Sequence, residues 1–246
     1  MRILLLGGTA EARALADILT VTDHVTTSLA GRVANPRLPV GEVRIGGFGG
    51  IDGLSSALAD FDVVIDATHP FAKTISANAA AACAHRGVPL LRFERPGWAD
   101  RTRDSWQWTA SHDEAAALAA RLGRRPFLTV GRQEMARFIP ALRDHATLAR
   151  VVQAPDEALP ASWRLVTSRG PYALAGELEL MREHAADVLI TKDSGGEFTW
   201  PKMQAADQLG IPVVIVARPT RSANVPTVSD IDDAAAWVRA LSTMSR

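Results

Sequence analysis

The chain of 246 residues is long enough for one large domain or two small ones, each with its own hydrophobic core. Lysine and arginine together number 27, as do aspartate and glutamate, and this zero formal charge argues against a nucleic-acid partner. The single cysteine, Cys83, excludes an internal disulfide and a cysteine-rich metal cluster, so we expect no bound metal.

The first 93 residues alternate short apolar runs with amphipathic segments. The run at 2–6 is too short for a signal peptide, and no apolar run approaches the roughly 18 residues of a membrane span. We therefore expect a cytoplasmic protein with no membrane partner. The pattern predicts strands at 2–6, 24–28, 42–45, 62–66 and 90–93, and helices at 9–19, 51–58 and 72–85. This alternation is typical of a doubly wound parallel sheet.

The segment 94–104 interrupts this pattern with proline, glycine and charged residues, and the alternation then resumes. Strands are predicted at 105–109, 127–130, 148–152, 164–168, 188–192 and 213–217, and helices at 113–122, from 133, and at 172–184, 201–209 and 231–241. We predict an α/β protein with two tandem Rossmann-like domains, at 1–97 and 98–246. We expect the ligand site in a cleft between these domains.

The first strand ends in a glycine turn, Gly7-Gly8-Thr9, which leads through Glu11 into a helix. A helix N-terminus offers unpaired N–H groups, and glycine lets a phosphate approach the backbone. Thr9 is suited to capping the helix and to donating its hydroxyl to a phosphate. The turn indicates a nucleotide-phosphate site, although an ordinary strand–helix turn is the alternative.

The end of the second strand bears on which nucleotide binds. A site for NAD usually carries an acid there, whereas an arginine suits the 2′-phosphate of NADP. This sequence has Ser28, Gly31 and Arg32, and no acid. The pattern favours NADPH, unless Arg32 is an ordinary surface residue.

The fourth strand leads directly into Thr68, His69, Pro70 and Phe71. These residues follow the carboxyl end of a strand beside the predicted switch point of the sheet, where ligands bind in such folds. They are therefore candidates for the nicotinamide side of the cofactor site. A structural role for His69, with a hydrogen bond to Asp66, is the alternative.

With these motifs in place, the sequence resembles the precorrin-6A reductase family of cobalamin biosynthesis. The matching segments run in order along the chain and are Gly7-Gly8-Thr9-x-Glu11-Ala12, Gly31-Arg32, 66–72, Arg92-x-Glu94-Arg95-Pro96-x-Trp98, Thr129-x-Gly131-Arg132, 192–196, Lys202-x-x-Ala205-Ala206 and Arg218-Pro219. The resemblance implies NADPH-dependent reduction of one double bond of precorrin-6A to give precorrin-6B. It implies no metal, and the expected partner is this tetrapyrrole. We expect a monomer or small homo-oligomer, with transient contacts to neighbouring enzymes of the pathway.

Such a substrate is fringed with carboxylates, and the second half of the chain places cations at predicted strand ends. The candidates for substrate binding are Arg132, Arg169, Lys192, Ser194, Gly195, Gly196 and Lys202, with Arg137 nearby. The glycine-rich loop after Lys192 is suited to an anion-binding nest. Each cation taken singly has a solvated surface position as its alternative.

Three side chains, Lys202, Lys192 and His69, are candidate catalytic residues because each can carry a transferable proton. Bulk water is the alternative source of the proton. The competing functions are another NADPH-dependent reductase, of the dihydrodipicolinate reductase type, and a non-catalytic NADP-binding sensor. A short-chain dehydrogenase is disfavoured because the only tyrosine, Tyr172, is followed four residues later by Gly176 rather than by lysine.

Overall fold

The computed structural model describes residues 1–31, 36–220 and 224–244. It divides into two compact units. The first unit comprises residues 1–96 and the described residues from 220 onward, and the second comprises Gly97–Pro219. Within the described residues, each unit has a six-stranded, wholly parallel sheet. The predicted pair of Rossmann-like α/β units is thus confirmed.

The elements follow the alternation that the sequence predicts. The first part of the chain forms β1 (Arg2–Leu6), α1 (Ala10–Leu19), β2 (His24–Leu29), β3 (Glu42–Ile45), α2 (Ile51–Ala57), β4 (Val63–Asp66), α3 (Lys73–Arg86), β5 (Leu90–Phe93), β6 (Trp106–Thr109), α4 (His112–Leu122) and β7 (Pro126–Leu128). The remainder forms α5 (Ile139–Leu142), β8 (Leu148–Val151), β9 (Arg164–Thr167), α6 (Leu174–His184), β10 (Val188–Lys192), α7 (Pro201–Gln208), β11 (Val213–Val216), β12 (Thr227–Val228) and α8 (Ile231–Met244).

The two sheets have the same spatial order. The first sheet runs β3-β2-β1-β4-β5-β12, and the second runs β9-β8-β7-β10-β11-β6. Both have the 3-2-1-4-5-6 arrangement of the Rossmann fold, but the sixth position of each sheet is taken by a strand from an unexpected place in the chain. In the first unit this strand, β12, comes after the whole second unit. In the second unit it is β6, which precedes all the others.

Both faces of the first sheet are covered, which explains why its strands are continuous apolar runs. Alternate residues of β1 point to opposite sides. Ile3 and Leu5 pack with α1 and α8, whereas Leu4 and Leu6 pack with α2 and α3. In the second unit, β7, β10 and β11 pack against α6 and α7 in a core that also contains Trp98.

Three expectations about the elements are corrected. The domain prediction of 98–246 is wrong at its end, because β12 pairs with β5 and α8 packs in the first core. The helix expected from 133 is a 3₁₀ helix, Arg132–Phe138, followed by the short α5. The helix expected at 172–184 begins only at Leu174, so Tyr172 lies in the loop that precedes α6.

Candidate active site

In each unit, the strand order reverses between two central strands, and such switch points are where α/β sheets bind ligands. In the first unit these strands are β1 and β4, whose register pairs Leu6 with Asp66. The glycine turn after β1 and the segment after β4 therefore meet at the same edge. The sequence predicted both as parts of one site, and the structure brings them together.

The two glycines of the first turn have different reasons to be glycine. Gly7 donates its N–H to the carbonyl of Ser28 over 3.0 Å, and a Cβ atom on Gly7 would lie only 2.8 Å from Cγ2 of Thr27. Gly8 has a φ of +110°, and a Cβ atom there would meet no described atom within 4 Å. Gly7 thus serves packing, whereas Gly8 leaves its backbone open to a ligand.

Thr9 caps α1, as the sequence predicted. Its hydroxyl oxygen accepts the N–H of Ala12 over 3.0 Å and donates to the carbonyl of Ala67, also over 3.0 Å. Because the single hydroxyl proton is directed to Ala67, the expected donation from this hydroxyl to a phosphate is corrected. The N–H groups at the start of α1 remain the phosphate donors that this turn offers.

The end of β2 bears on the predicted 2′-phosphate site. Ser28 is buried. Gly31 has a φ of +70°, and a Cβ atom on it would lie in tight contact with Ile45, at 3.3 Å. Arg32, the residue on which the preference for NADPH depends, lies outside the described residues. Its role stays a prediction from the sequence.

A buried ion pair lies beneath the segment after β4. Asp66 and Arg92 are both nearly fully buried, and the Nη1 atom of Arg92 binds Oδ2 of Asp66. The other carboxylate oxygen, Oδ1, accepts the N–H and the hydroxyl of Thr68 over 3.1 and 2.7 Å. Arg92 also donates to Ser76 of α3 over 2.7 Å and pairs with Glu94. This network holds the start of the segment to α3 and β5.

His69 has a hydrogen-bond partner in the backbone of its own segment. Its Nδ1 atom accepts the N–H of Phe71 over 3.2 Å. A nitrogen that accepts carries no proton, so Nε2 is the protonated nitrogen of the neutral ring. Pro70 belongs to the turn between His69 and Ala72, and α3 begins one residue later than predicted, at Lys73.

Glu11 forms an ion pair with Arg95, with 2.8 Å between the carboxylate oxygen and the guanidinium. Both residues line a small depression at the edge of the first sheet, formed by Thr9, Glu11, Ala67, Thr68, Pro70, Phe93, Glu94 and Arg95. Because a carboxylate repels a phosphate, the role of Glu11 is indirect, and its ion pair orients Arg95. Arg95 belongs to a segment that carries the family resemblance, but it was not among the site residues expected from the sequence.

The switch point of the second unit lies between β7 and β10. Lys192, at the end of β10, approaches Gly131, which follows β7. Its Nζ atom lies 3.9 Å from the position that a Cβ atom on Gly131 would occupy. Burial lowers the pKa of Lys192, and the negative charge of Glu134 opposes this effect. Glu134 also lies 3.7 Å from His112, whose pKa is lowered by burial. Glu134 and His112 were not expected from the sequence, because their approach to each other and to Lys192 depends on contacts between distant segments.

Asp193 anchors the loop after β10. Its carboxylate accepts the N–H of Trp98 over 2.9 Å and pairs with Arg218 at 3.3 Å. The next residue, Ser194, donates its N–H back to the carbonyl of Lys192 over 2.6 Å. The predicted anion nest thus loses the N–H of Ser194, and Gly195 and Gly196 remain its candidate donors.

The other predicted cations differ in their surroundings. Lys202 is 4% exposed, with its Nζ atom 5.4 Å from the ring centroid of Trp98. Arg132 is half-buried, and Arg169 is exposed at the start of the loop after β9. Arg137 forms a bidentate ion pair with Asp113 on the surface. Its expected role as a substrate cation is therefore corrected.

Across 1–31, 36–220 and 224–244, no three histidine, cysteine, aspartate or glutamate residues are grouped so that they could hold a metal ion. Within the same ranges, every helix is too short or too polar to span a membrane.

Comparison with known proteins agrees with these features. Residues 2–239 match the family model described as precorrin-6x reductase CbiJ/CobK. The chain is 49% identical to the precorrin-6A reductase of Rhodococcus erythropolis and 50% identical to that of Mycobacterium tuberculosis, each over 98% of both chains. It is 32% identical to the cobalt-precorrin-6A reductase of Salmonella typhimurium, over 89% of this chain and 88% of that one. A solved structure titled CobK precorrin-6A reductase superposes with a TM-score of 0.90 at 37% identity, covering 97% of this chain and 96% of that one.

Proposed function

The chain belongs to the precorrin-6x reductase family, and from this premise we propose that it reduces its substrate with NADPH bound at the edge of the first sheet. Its activity is that of a precorrin-6A reductase, an oxidoreductase of cobalamin biosynthesis that needs a nicotinamide cofactor. The alternatives of a dihydrodipicolinate-type reductase and a non-catalytic sensor are not supported.

The observation that supports the cofactor site best is the open backbone at Gly8. A phosphate can approach there without meeting a Cβ atom, and the start of α1 supplies N–H donors and a favourable dipole. Arg95, oriented by its ion pair with Glu11, places guanidinium N–H donors beside this turn. The residues present therefore fit a dinucleotide.

In the proposed mechanism, the turn at Gly8 and the start of α1 would hold the cofactor, which when bound would supply the hydride for one carbon of the substrate double bond. The Asp66–Arg92 network holds Thr68 and the following segment in place beside the cofactor. His69, held by the hydrogen bond from Phe71, is proposed to contact the cofactor or the substrate. We assign cofactor contacts to Gly7, Gly8, Thr9, Glu11, Ser28, Gly31, Arg32, Thr68, His69, Pro70 and Phe71, some of them indirect as described above.

The second unit is proposed to bind the carboxylates of the substrate and to supply the proton. Arg132, Arg169, Lys202 and the loop Ser194–Gly196 are the proposed carboxylate ligands. Lys192 is the strongest candidate among the three proton donors, because burial lowers its pKa and so makes its ammonium a better acid. Lys202, a second candidate proton donor, is more deeply buried than Lys192 and lies beside Trp98.

The proposed setting of the enzyme follows from its pathway. We propose that it works in the cytoplasm, as a monomer or small homo-oligomer. Because its substrate is made and its product consumed by other enzymes of the same pathway, transient contacts with those enzymes are also proposed. Analytical ultracentrifugation with and without NADPH checks the oligomeric state.

Replacement of Gly8 tests the phosphate site. We expect Gly8→Ala to raise the Kd for NADPH by about tenfold or more, because a φ of +110° disfavours a side chain and the new methyl group occupies the phosphate approach. Fluorescence titration with NADPH measures this. The matched control is Gly176→Ala in α6, where a Cβ atom has open space and no positive φ is needed, and NADPH binding should be unchanged. Equal affinities of the Gly8 variant and the wild type would remove the turn from the site.

The preference for NADPH is tested at Arg32. We expect Arg32→Ala to weaken binding of NADPH and to leave binding of NADH nearly unchanged, since only NADPH carries the 2′-phosphate. The ratio of the two Kd values, followed as a function of salt concentration, is the measurement. An unaltered ratio would exclude Arg32 from recognition of the 2′-phosphate.

A further inference from the structure

Tyr172, the only tyrosine of the chain, lies in the loop between β9 and α6, next to the proposed substrate residue Arg169. Its hydroxyl donates to the carbonyl of Ser168 over 3.1 Å, and its own N–H donates to the carbonyl of Phe198 over 3.3 Å. The side-chain bond fixes Tyr172 within its own loop, and the backbone bond joins this loop to a second one. One loop carries Arg169, and the other continues from Ser194.

The second loop is itself tied together near Phe198. The hydroxyl of Thr199 donates to the carbonyl of Gly195 over 3.3 Å and lies 3.2 Å from the hydroxyl of Ser194. A displacement of Phe198 would therefore also move the Ser194–Gly196 segment, which is the proposed anion nest. The contact from Tyr172 reaches both groups of proposed carboxylate ligands.

The ring of Tyr172 rests on a buried cation. The guanidinium carbon of Arg150 lies 3.9 Å from the centroid of the Tyr172 ring and 4.9 Å from that of Phe127. Arg150 and Glu177 are 6% and 2% exposed and form an ion pair between β8 and α6. A cation held between two rings and a carboxylate has little freedom to move, so it gives the tyrosine a rigid base in the sheet.

We propose that Tyr172, stacked on Arg150, is a positioning residue that sets the spacing between Arg169 and the Ser194–Gly196 loop and so selects a substrate with several carboxylates. The proposal rests on the proposed substrate role of these two loops. Tyr172 acts through its neighbours and needs no contact with the reacting atoms. The loss of its hydroxyl should therefore affect substrate binding and leave cofactor binding unaffected.

The kinetic test uses Tyr172→Phe, which keeps the ring on Arg150 and removes only the hydroxyl. We expect the KM for precorrin-6A to rise about threefold to tenfold, the effect of one lost hydrogen bond, with kcat and the Kd for NADPH nearly unchanged. Ser162→Ala is the control, because it removes another hydroxyl that donates to a backbone carbonyl, that of Arg143, away from these loops. A wild-type KM for Tyr172→Phe would overturn the proposal.

A spectroscopic test separates positioning from general stability. Protein labelled with 3-fluorotyrosine gives a ¹⁹F resonance from this residue alone, since the chain has one tyrosine. We expect this resonance to shift on saturation with precorrin-6A and to stay in place with NADPH alone. A resonance that precorrin-6A leaves unmoved would also overturn the proposal.

The variant Arg169→Ala distinguishes a failure of this inference from a failure of the proposed substrate site. If Arg169→Ala leaves the KM for precorrin-6A unchanged, the substrate role of Arg169 is wrong. If it raises the KM and Tyr172→Phe adds the same factor in both backgrounds, Tyr172 does not act through Arg169. We expect the factor from Tyr172→Phe to shrink when Arg169 is absent, because the two residues would act as one unit.

Discussion

Asp66→Asn will lower the free energy of unfolding of the first unit by about 3–5 kcal/mol, because the change removes the buried counter-charge of Arg92 and leaves only the more exposed and more distant Glu94 paired with it. Asp66 and Arg92 have side chains only 3% and 5% exposed. The amide of asparagine can still accept from Thr68, but it cannot neutralise Arg92. The same change should loosen the segment 68–72, whose first residue is bonded to this carboxylate.

Hydrogen exchange followed by mass spectrometry suits this prediction, because it reports each unit separately. Peptides that cover β4 and β5 should exchange faster in the variant, whereas those that cover β10 and β11 should not. The control is Asp62→Asn, which breaks the ion pair with Arg2 at a surface where the two side chains are 40% and 54% exposed. An exposed pair contributes at most about 1 kcal/mol, so a similar effect of the two variants would contradict the buried-pair argument.

Much of the fold could be predicted from the sequence because buried parallel strands leave a strong signal. In α1, the apolar residues that recur at helical spacing in the sequence form the face that is buried, and they are Ala12, Leu15, Ala16 and Leu19. The glycine turn after β1 could also be predicted, since Gly8 has a backbone conformation that other residues rarely adopt.

What the sequence could not supply depends on contacts between distant segments. Strand β12 has two residues, too few for any period, and only its pairing with β5 shows that the chain returns to the first unit. Thr9 is a good helix cap in any sequence pattern, but its hydroxyl proton is directed to Ala67, 58 residues away. Glu134 affects Lys192 through space, from a 3₁₀ helix that the sequence suggested was an α-helix.

Lys192→Met should lower kcat for precorrin-6A reduction by about 100- to 10,000-fold if the ammonium is the proton donor, which is the usual range for a positioned acid. Binding of NADPH should be unaffected. The informative control is Lys192→Arg, which keeps the positive charge for a substrate carboxylate but holds its proton too tightly to donate it. If Lys192→Arg restores kcat, the residue binds substrate and another group or water supplies the proton.

The pH profile gives the same hypothesis a second, independent test. A donor must be protonated to act, so kcat of the wild type should fall as the pH rises through the pKa of Lys192. Burial places that pKa below the ordinary range of a lysine, and the carboxylate of Glu134 opposes the decrease. Glu134→Gln removes the opposing charge and should move the alkaline decline of kcat to lower pH.

His112 also lies beside Glu134, so its titration is the alternative cause of such a shift. Its own pKa is lowered by burial and responds to both Glu134 and Lys192. Replacement of His112 by glutamine should leave a decline that still shifts with Glu134→Gln; a decline that disappears with His112 would assign the titration to the histidine and not to Lys192.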